Sequence, residues 1–323
     1  MNSAPEPLLR VEDLSVHFPV QGGVFSRTRR LLVRAVNNVS LTLNKGECLS
    51  VVGESGCGKS TLALSIVGLQ APTSGSIHFE GSPITGKVQP SRIERARMAQ
   101  IVFQDPYASL NPRQTVFTSL AAPLRLHGMG GSEVEARVEE MMRLVGLKPD
   151  QAGRFPHEFS GDQRQRIGIA RALILNPRVV VLDEPVSALD VSIRAQIINL
   201  LLELKERLEL SYIMISHDLS VVEHMSDRVA VMYFGQIVET GRWESIFANP
   251  MHPYTRRLLG AIPDPFAELS GKNLVDEAQA PRPPSGYDYY PKEFDRQDVY
   301  SAPQPSHLVA MAGDHCVRLA PVA

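Results

Sequence analysis

Gly53-Glu54-Ser55-Gly56-Cys57-Gly58-Lys59-Ser60 is the stretch on which the reading of this chain turns. It has the spacing Gly-x-x-x-x-Gly-Lys-Ser, follows an apolar strand candidate at Cys48–Val52, and opens a helix. That context is what a phosphate-cradling loop requires. Glycines let the backbone curl until successive N–H groups face one anion. A helix starting near Lys59 adds the positive end of its dipole. The motif sends the Lys59 ammonium to the β- and γ-phosphates of a nucleotide, the Ser60 hydroxyl to Mg²⁺, and Thr61 to the α-phosphate. Cys57 fills a loop position that accepts small residues, where bound nucleotide would cover its thiol.

Downstream, Val179-Val-Val-Leu182 is an unbroken apolar run that ends in Asp183-Glu184-Pro185. Such a run predicts a parallel strand buried on both faces. An Asp at its end can hold the Mg²⁺ shell, and the adjacent Glu can act as general base on a water. His217 follows the strand candidate Tyr212–Ser216, a position where α/β proteins bind ligands, and is a candidate γ-phosphate sensor. Gln104 ends the short run Ile101–Phe103; its amide can ligate Mg²⁺ and orient water. Ser160-Gly161-Asp162-Gln163 opens a helix rich in arginine (Arg164, Arg166, Arg171), and its free N–H groups form a second anion site. That site lies more than 100 residues from the first in sequence, and can serve a second chain's nucleotide.

Between these motifs the chain reads as alternating strands and helices. Strands are expected at Leu8–Phe18, Val39–Leu43, Ile77–Glu80 and Val229–Tyr233. The interruption at 20–34, with Arg27, Arg29, Arg30 and Arg34, reads as an exposed basic hairpin loop. Residues 115–145 read as helical with a break at His127–Gly131, and Ser132 is the expected cap of the second helix. Ile193, Ile197, Leu200, Leu201, Leu204 and Leu208 form one stripe of an amphipathic helix. The alternation predicts an α/β domain around a mostly parallel sheet. Composition shifts after Pro263, and residues 264–306 read as a largely extended tail with weak order. No internal repeat is visible.

Bulk composition narrows the function. Lys plus Arg number 33 against 35 acidic residues, a net charge of −2, so nothing favours a nucleic-acid partner. The first residues carry no basic segment followed by an apolar run, so no secretory signal is expected. The apolar runs fall far short of the about 20 residues that span a bilayer. Three scattered cysteines, Cys48, Cys57 and Cys316, suggest neither a disulfide framework nor a zinc site and fit a reducing cytoplasm.

Taken in order, these residues resemble those of the nucleotide-binding subunits of ATP-binding cassette (ABC) transporters. The Walker A loop is Gly53–Ser60, the Q-loop Gln104, and the signature Phe159-Ser-Gly-Asp-Gln163. Walker B is Val179–Asp183 with Glu184, the D-loop is Ser187-Ala-Leu-Asp190, and the switch histidine is His217. The resemblance covers roughly residues 8–262. Within that family the chain is similar to peptide-type importers, through Phe103-Gln-Asp-Pro-Tyr-Ala-Ser-Leu-Asn-Pro112, Gln163-Arg-Gln-Arg-Ile167, Ser187–Ser192 and His252-Pro-Tyr-Thr-Arg256. The early hairpin also fits the second of the two ATPases of such importers, and the C-terminal cassette of glutathione-importer ATPases is a close resemblance.

The resemblance implies a P-loop NTPase cassette: a RecA-like parallel core, an antiparallel β subdomain and a helical subdomain. It places the nucleotide-binding domain at 1–262, the helical subdomain at about 104–160, and a partly extended C-terminal extension at 263–323. It implies ATP and Mg²⁺, a transport ATPase, and two cassettes packed head to tail around two ATP molecules. Each ATP lies between one Walker A loop and the partner's signature, here Ser160, Gly161, Asp162 and Gln163. Phe18 stands near the family's adenine-stacking position. Implied partners are two permease subunits, a second and related ABC ATPase, and an extracytoplasmic solute-binding protein; the implied location is peripheral, on the cytoplasmic face of the inner membrane.

Two departures carry expectations. Asp162 replaces the second glycine of Ser-Gly-Gly-Gln. A carboxylate about 5 Å from the γ-phosphate would repel each unit of its charge by roughly 3 kcal/mol at an effective dielectric of about 20. One impaired and one competent site in a heterodimer would follow, unless Asp162 swings outward. Many peptide-importer ATPases bind an iron–sulfur centre through a C-terminal cysteine cluster, which typically takes four thiolates; with Cys316 alone in the tail, no cluster is expected. The leading reading is an ATPase for import of peptides or a glutathione-like molecule. A non-hydrolysing regulatory partner, an importer of nickel or another solute, and a soluble ABC ATPase acting on DNA or ribosomes stand beside it.

Overall fold

The computed structural model describes residues 6–20, 32–86, 89–261, 280–291 and 303–322. Strands run in the order β1 (Leu9–Pro19), β2 (Leu32–Leu43), β3 (Cys48–Val52), β4 (Ser74–Phe79), β5 (Ser82–Pro83), β6 (Ala99–Val102) and β7 (Val179–Asp183). Then come β8 (Ser211–Ser216), β9 (Arg228–Tyr233), β10 (Gln236–Arg242), β11 (Tyr287–Tyr289), β12 (His307–Ala312) and β13 (His315–Pro321). β2-β1-β4-β5 form an antiparallel sheet. The main sheet has the order β11-β13-β10-β9-β3-β8-β7-β6, with β12 on β13. From β9 to β6 all neighbours are parallel; from β10 outward they are antiparallel.

The apolar run at β7 is explained by that architecture. Val180 and Leu182 face a core shared with the helices, while Val179 and Val181 face a second core shared with β1, β2 and β4. A strand coated on both sides has no polar alternation to show. β3 and β8 divide the same way: Cys48 and Val52 with Tyr212 and Met214 on one side, Leu49 and Val51 with Ile213 and Ile215 on the other. The helix Val191–Arg207 buries Ile197, Leu200, Leu201 and Leu204 of its predicted stripe against the first core. Helices Val116–Leu126 and Gly131–Leu144 pack there with Gly161–Leu173. The arginines of the last turn inward as braces: Arg164 Nε donates to Pro156 O at 2.8 Å, Arg166 to Val145 O at 2.8 Å, and Arg171 to Ser109 O.

Several expectations shift. β2 starts at Leu32, seven positions before the expected Val39, because its first half pairs with the far end of β1 and is only half-buried. The N-cap of Gly131–Leu144 is Gly130, in extended conformation, so Ser132 sits inside the first turn; a cap glycine costs little. Most of the basic stretch expected as a hairpin loop, 21–31, lies outside the described residues. So do 264–279 and 292–302 of the expected extended tail. Within the rest of that stretch, Tyr287–Tyr289 pairs with β13. Beyond it, β12 and β13 form a hairpin whose second strand joins the main sheet against β10, a junction the sequence reading missed. Among the described residues no helix is long and apolar enough to cross a membrane.

Candidate functional site

Four loops meet at one edge of the main sheet because of strand order. β3, β8, β7 and β6 are consecutive parallel neighbours, with Val52 opposite Ser216, Asp183 opposite Ile215, and Val102 opposite Leu182. Their carboxyl ends deliver the phosphate loop, His217, the Asp183–Glu184 pair and Gln104 to the same place. Crevices at carboxyl ends of parallel strands are where such sheets bind ligands.

The loop after β3 has the shape its glycines predict. Gly56 and Gly58 have φ of +81° and +109°. A Cβ on Gly58 would collide with the Ala35 carbonyl, and one on Gly53 with the Met232 carbonyl. The β9–β10 turn and β2 press on the loop: Gly235 N donates to Cys57 O at 2.9 Å and Asn37 N to Gly235 O at 2.8 Å. Lys59 opens the helix Lys59–Ile66 and is buried, its Nζ donating to Gly53 O and Glu54 O at 2.8 Å each. A buried ammonium resting on carbonyls of its own loop, at a helix N-terminus, presents positive charge to whatever the loop encloses. Burial raises the Cys57 thiol pKa, and the Lys59 charge pulls against that rise.

The acids face this loop. Ser60 Oγ donates to Asp183 Oδ1 at 3.2 Å. Burial raises the Asp183 pKa; the Ser60 hydrogen bond opposes this and the Glu184 charge adds to it. Glu184 leaves the strand with φ of +48°, a conformation unusual outside glycine, and its N–H donates to Ile215 O at 3.0 Å. Gln104 Nε2 donates to Glu184 Oε2 at 2.8 Å, and His217 Nδ1 stands 3.0 Å from Glu184 Oε1. Ala35, Ser55, Gly56, Gly58, Lys59, Ser60, Thr61, Gln104, Glu184 and His217 line one open groove.

These residues fit a nucleotide triphosphate and Mg²⁺. The cradle is one a Cβ would fill, the donors on it are backbone N–H groups and a buried ammonium, and Ser60 and Asp183 already share a contact across the groove. Ser60, Asp183 and Gln104 are hard oxygen donors of the kind Mg²⁺ takes. Phe18 is exposed on β1 opposite Val33, and Val33 lines a neighbouring groove with Glu54–Cys57 and Phe234.

The signature segment stands apart. No residue of Ser160–Gln163 lines the groove around Lys59. Ser160 is the N-cap of the helix Gly161–Leu173, with Gln163 Oε1 accepting from Ser160 N at 3.2 Å. Asp162 Oδ1 accepts from Ser160 Oγ at 2.5 Å. The sequence reading missed what holds the loop from behind: Glu54 N donates to Tyr254 Oη at 2.9 Å, and Arg257 Nη2 pairs with Glu54 Oε1 at 2.6 Å. Both partners follow or lie in His252-Pro-Tyr-Thr-Arg256, which was legible only as a family hallmark.

Comparison with known proteins gives the same picture. Residues 36–187 match the family described as ABC transporter, and residues 238–291 match the oligopeptide/dipeptide transporter C-terminal region. The glutathione import ATP-binding protein GsiA of Salmonella typhimurium is 54% identical over 279 residues, 84% of this chain and 44% of the relative. GsiA of Escherichia coli is 54% identical over 260 residues, 80% of this chain and 41% of the relative. The chain thus spans less than half the length of these relatives. Among solved structures, cbiO1 from Clostridium perfringens, part of the ABC transporter complex cbiONQ, superposes with a TM-score of 0.65 at 26% identity, covering 82% of this chain and 99% of that one. A dimeric post-hydrolysis structure of an ATP-binding cassette bound to ADP and Pi gives a TM-score of 0.63 at 27% identity, covering 73% and 98%. With the motif loops gathered at one sheet edge and both profiles matched, the chain belongs to the ABC transporter ATP-binding family, in the branch carrying the oligopeptide/dipeptide transporter C-terminal region.

Proposed function

We propose that this chain binds and hydrolyses ATP to drive import of peptides or a glutathione-like molecule. The observation that carries the ATPase reading is the convergence of Lys59, the Ser60–Asp183 pair and the Gln104–Glu184–His217 cluster on one groove. The matched C-terminal region and the GsiA relatives support the substrate class. Residues 1–262 form the nucleotide-binding domain, with 104–160 as helical subdomain and 263–323 as C-terminal extension. Two permeases, a second and related ATPase, and an extracytoplasmic solute-binding protein complete the assembly, and the chain sits on the cytoplasmic face of the membrane through its permeases.

The chemistry follows from the groove. The loop N–H groups and Lys59 hold the phosphates, with Thr61 at the α-phosphate and Phe18 against the adenine. Ser60, Asp183 and Gln104 would hold Mg²⁺, which would supply charge neutralisation for the phosphates. Glu184 is the general base. In the structure both its oxygens are engaged, one by Gln104 and one by His217. A triphosphate and its attacking water compete for those contacts: His217 turns to the γ-phosphate, and the freed Glu184 oxygen takes the water's proton. Gln104 orients that water.

Titration and turnover separate the roles. Lys59→Ala is expected to abolish ATP binding. Glu184→Gln is expected to keep binding while hydrolysis in the assembled transporter falls by about 100-fold or more, the scale of general-base loss. Unchanged hydrolysis in Glu184→Gln would remove this chain's own site as the motor. Uptake assays with glutathione, dipeptides and nickel assign the solute.

A further inference from the structure

The phosphate loop is gripped by a part of the chain that does not line the groove around Lys59. Glu54 is the second residue of the loop. Its N–H donates to Tyr254 Oη at 2.9 Å, its carbonyl accepts from Lys59 Nζ at 2.8 Å, and its carboxylate pairs with Arg257 at 2.6 Å. The peptide that helps seat the catalytic lysine is therefore pinned by a helix 200 residues away in sequence.

That helix, Pro253–Gly260, is itself fixed. Tyr254 is fully buried, its ring 4.1 Å from Tyr233, which ends β9, and the Arg257 guanidinium lies 5.7 Å from the Tyr254 ring. The helix N-terminus is set by Glu239 of β10, a buried carboxylate that accepts from Met251 N at 2.8 Å and His252 N at 2.9 Å. His315 of β13 reaches the same carboxylate at 2.7 Å. A continuous run of contacts links the C-terminal hairpin to the loop: His315, Glu239, the backbone at 251–252, Tyr254, Glu54, Lys59.

We propose that Tyr254, assisted by Arg257, is a positioning residue for nucleotide binding: its hydroxyl holds the Glu54 peptide in the geometry that lets Lys59 and the loop N–H groups meet phosphate. The inference rests on the ATP-binding reading of the groove. It places the determinant of loop geometry in the C-terminal region and assigns a task to a residue that touches no substrate. Tyr254 acts through the loop, so its loss weakens affinity and leaves the chemistry of Glu184 alone.

The test uses the full chain and two substitutions. Tyr254→Phe removes only the hydroxyl and keeps the ring against Tyr233; Arg257→Gln removes the ion pair at a partly exposed position. ATP affinity is measured by calorimetric titration in Mg²⁺, with the unfolding midpoint of the nucleotide-free protein alongside. One lost hydrogen bond predicts a Kd about fivefold higher for Tyr254→Phe and about threefold higher for Arg257→Gln. In an ATPase assay KM rises by the same factors while kcat stays within about twofold. A merely structural role would lower the nucleotide-free midpoint and leave Kd of the folded protein at the wild-type value, and that result overturns the proposal. A Tyr254→Phe chain that fails to fold shifts the decision to Arg257→Gln, where an unchanged Kd overturns it equally. Wild-type protein that binds no ATP overturns the functional reading and the grip with it; wild-type binding with unaltered variants overturns the grip alone.

Discussion

At the scale of single residues, the site depends on atoms that are absent as much as on those present. Gly58 sits at φ +109° with the Ala35 carbonyl where its Cβ would be. Gly58→Ala must move β2 or distort the loop, so ATP affinity is expected to fall more than about tenfold, with about 1–3 kcal/mol of stability lost to backbone strain. Calorimetric titration and urea unfolding measure the two effects separately. His252 offers a second single-residue handle. Its Nδ1 accepts from Tyr254 N at 3.1 Å, so the neutral ring carries its proton on Nε2, and full burial lowers its pKa from 6.5 to about 4. The unfolded chain takes up this proton below pH 6.5, the folded chain only near pH 4. The contribution of His252 to stability is thus complete above pH 6.5 and is lost as pH falls from 6.5 to about 4, at roughly 1.4 kcal/mol per pH unit. An Asn at 252 can still accept the Tyr254 N–H as a cap but does not titrate. His252→Asn is therefore expected to flatten the fall in urea midpoint across that window; an unchanged pH slope would show that other groups set it.

At the scale of elements, the C-terminal hairpin is joined to the cassette by polar groups inside the sheet. Glu239 is fully buried in β10 and answers three donors, from Met251, His252 and His315. Arg318 of β13, also buried, donates its Nε to Ile237 O at 2.6 Å, and burial pulls its pKa down to about 10. Glu239→Ala strands the three donors in a dry interior and is expected to cost about 3–5 kcal/mol, read as a lower urea midpoint with loss of the β10–β13 pairing by hydrogen exchange. The same polar residues explain what was legible in sequence. β3, β7, β8 and β9 announce themselves because central parallel strands are apolar on both faces. β10 and β13 carry Glu239, Thr240, Arg242, His315 and Arg318, which a pattern search counts as exposed, so the strands vanish from the reading. The phosphate loop, the acid pair, Gln104 and His217 were visible because their chemistry is written in local spacing. Tyr254 and Arg257 were not, because their task is created only when the order β10-β9-β3 folds the chain back onto the loop.

At the scale of the whole molecule, the proposed assembly makes the groove half of a site. Lys59, Ser60, Gln104, Glu184 and His217 line one opening, with Asp183 joined to Ser60 at 3.2 Å, and Ser160–Gln163 contributes nothing to its lining. On the proposed reading the signature helix closes a groove on another cassette, and any defect from Asp162 falls on that neighbour's site. Asp162 takes up the Ser160 hydroxyl at 2.5 Å, and on that reading both the added charge and the engaged hydroxyl would act against the neighbour's γ-phosphate. The consequence separates two assemblies. If two copies of this chain pair, Glu184→Gln silences every site and hydrolysis vanishes. If a related chain pairs with this one, Glu184→Gln leaves a residual rate from the neighbour's own Walker motifs, closed by the Asp162 signature. We expect the second outcome, and we expect Asp162→Gly in that silenced background to raise the residual rate about tenfold. That gain lies below the ceiling that roughly 3 kcal/mol of repulsion would set, because solvent at an open interface screens part of the charge. A residual rate indifferent to Asp162→Gly would place the carboxylate away from the phosphate in the closed state and make the two sites equivalent in their chemistry.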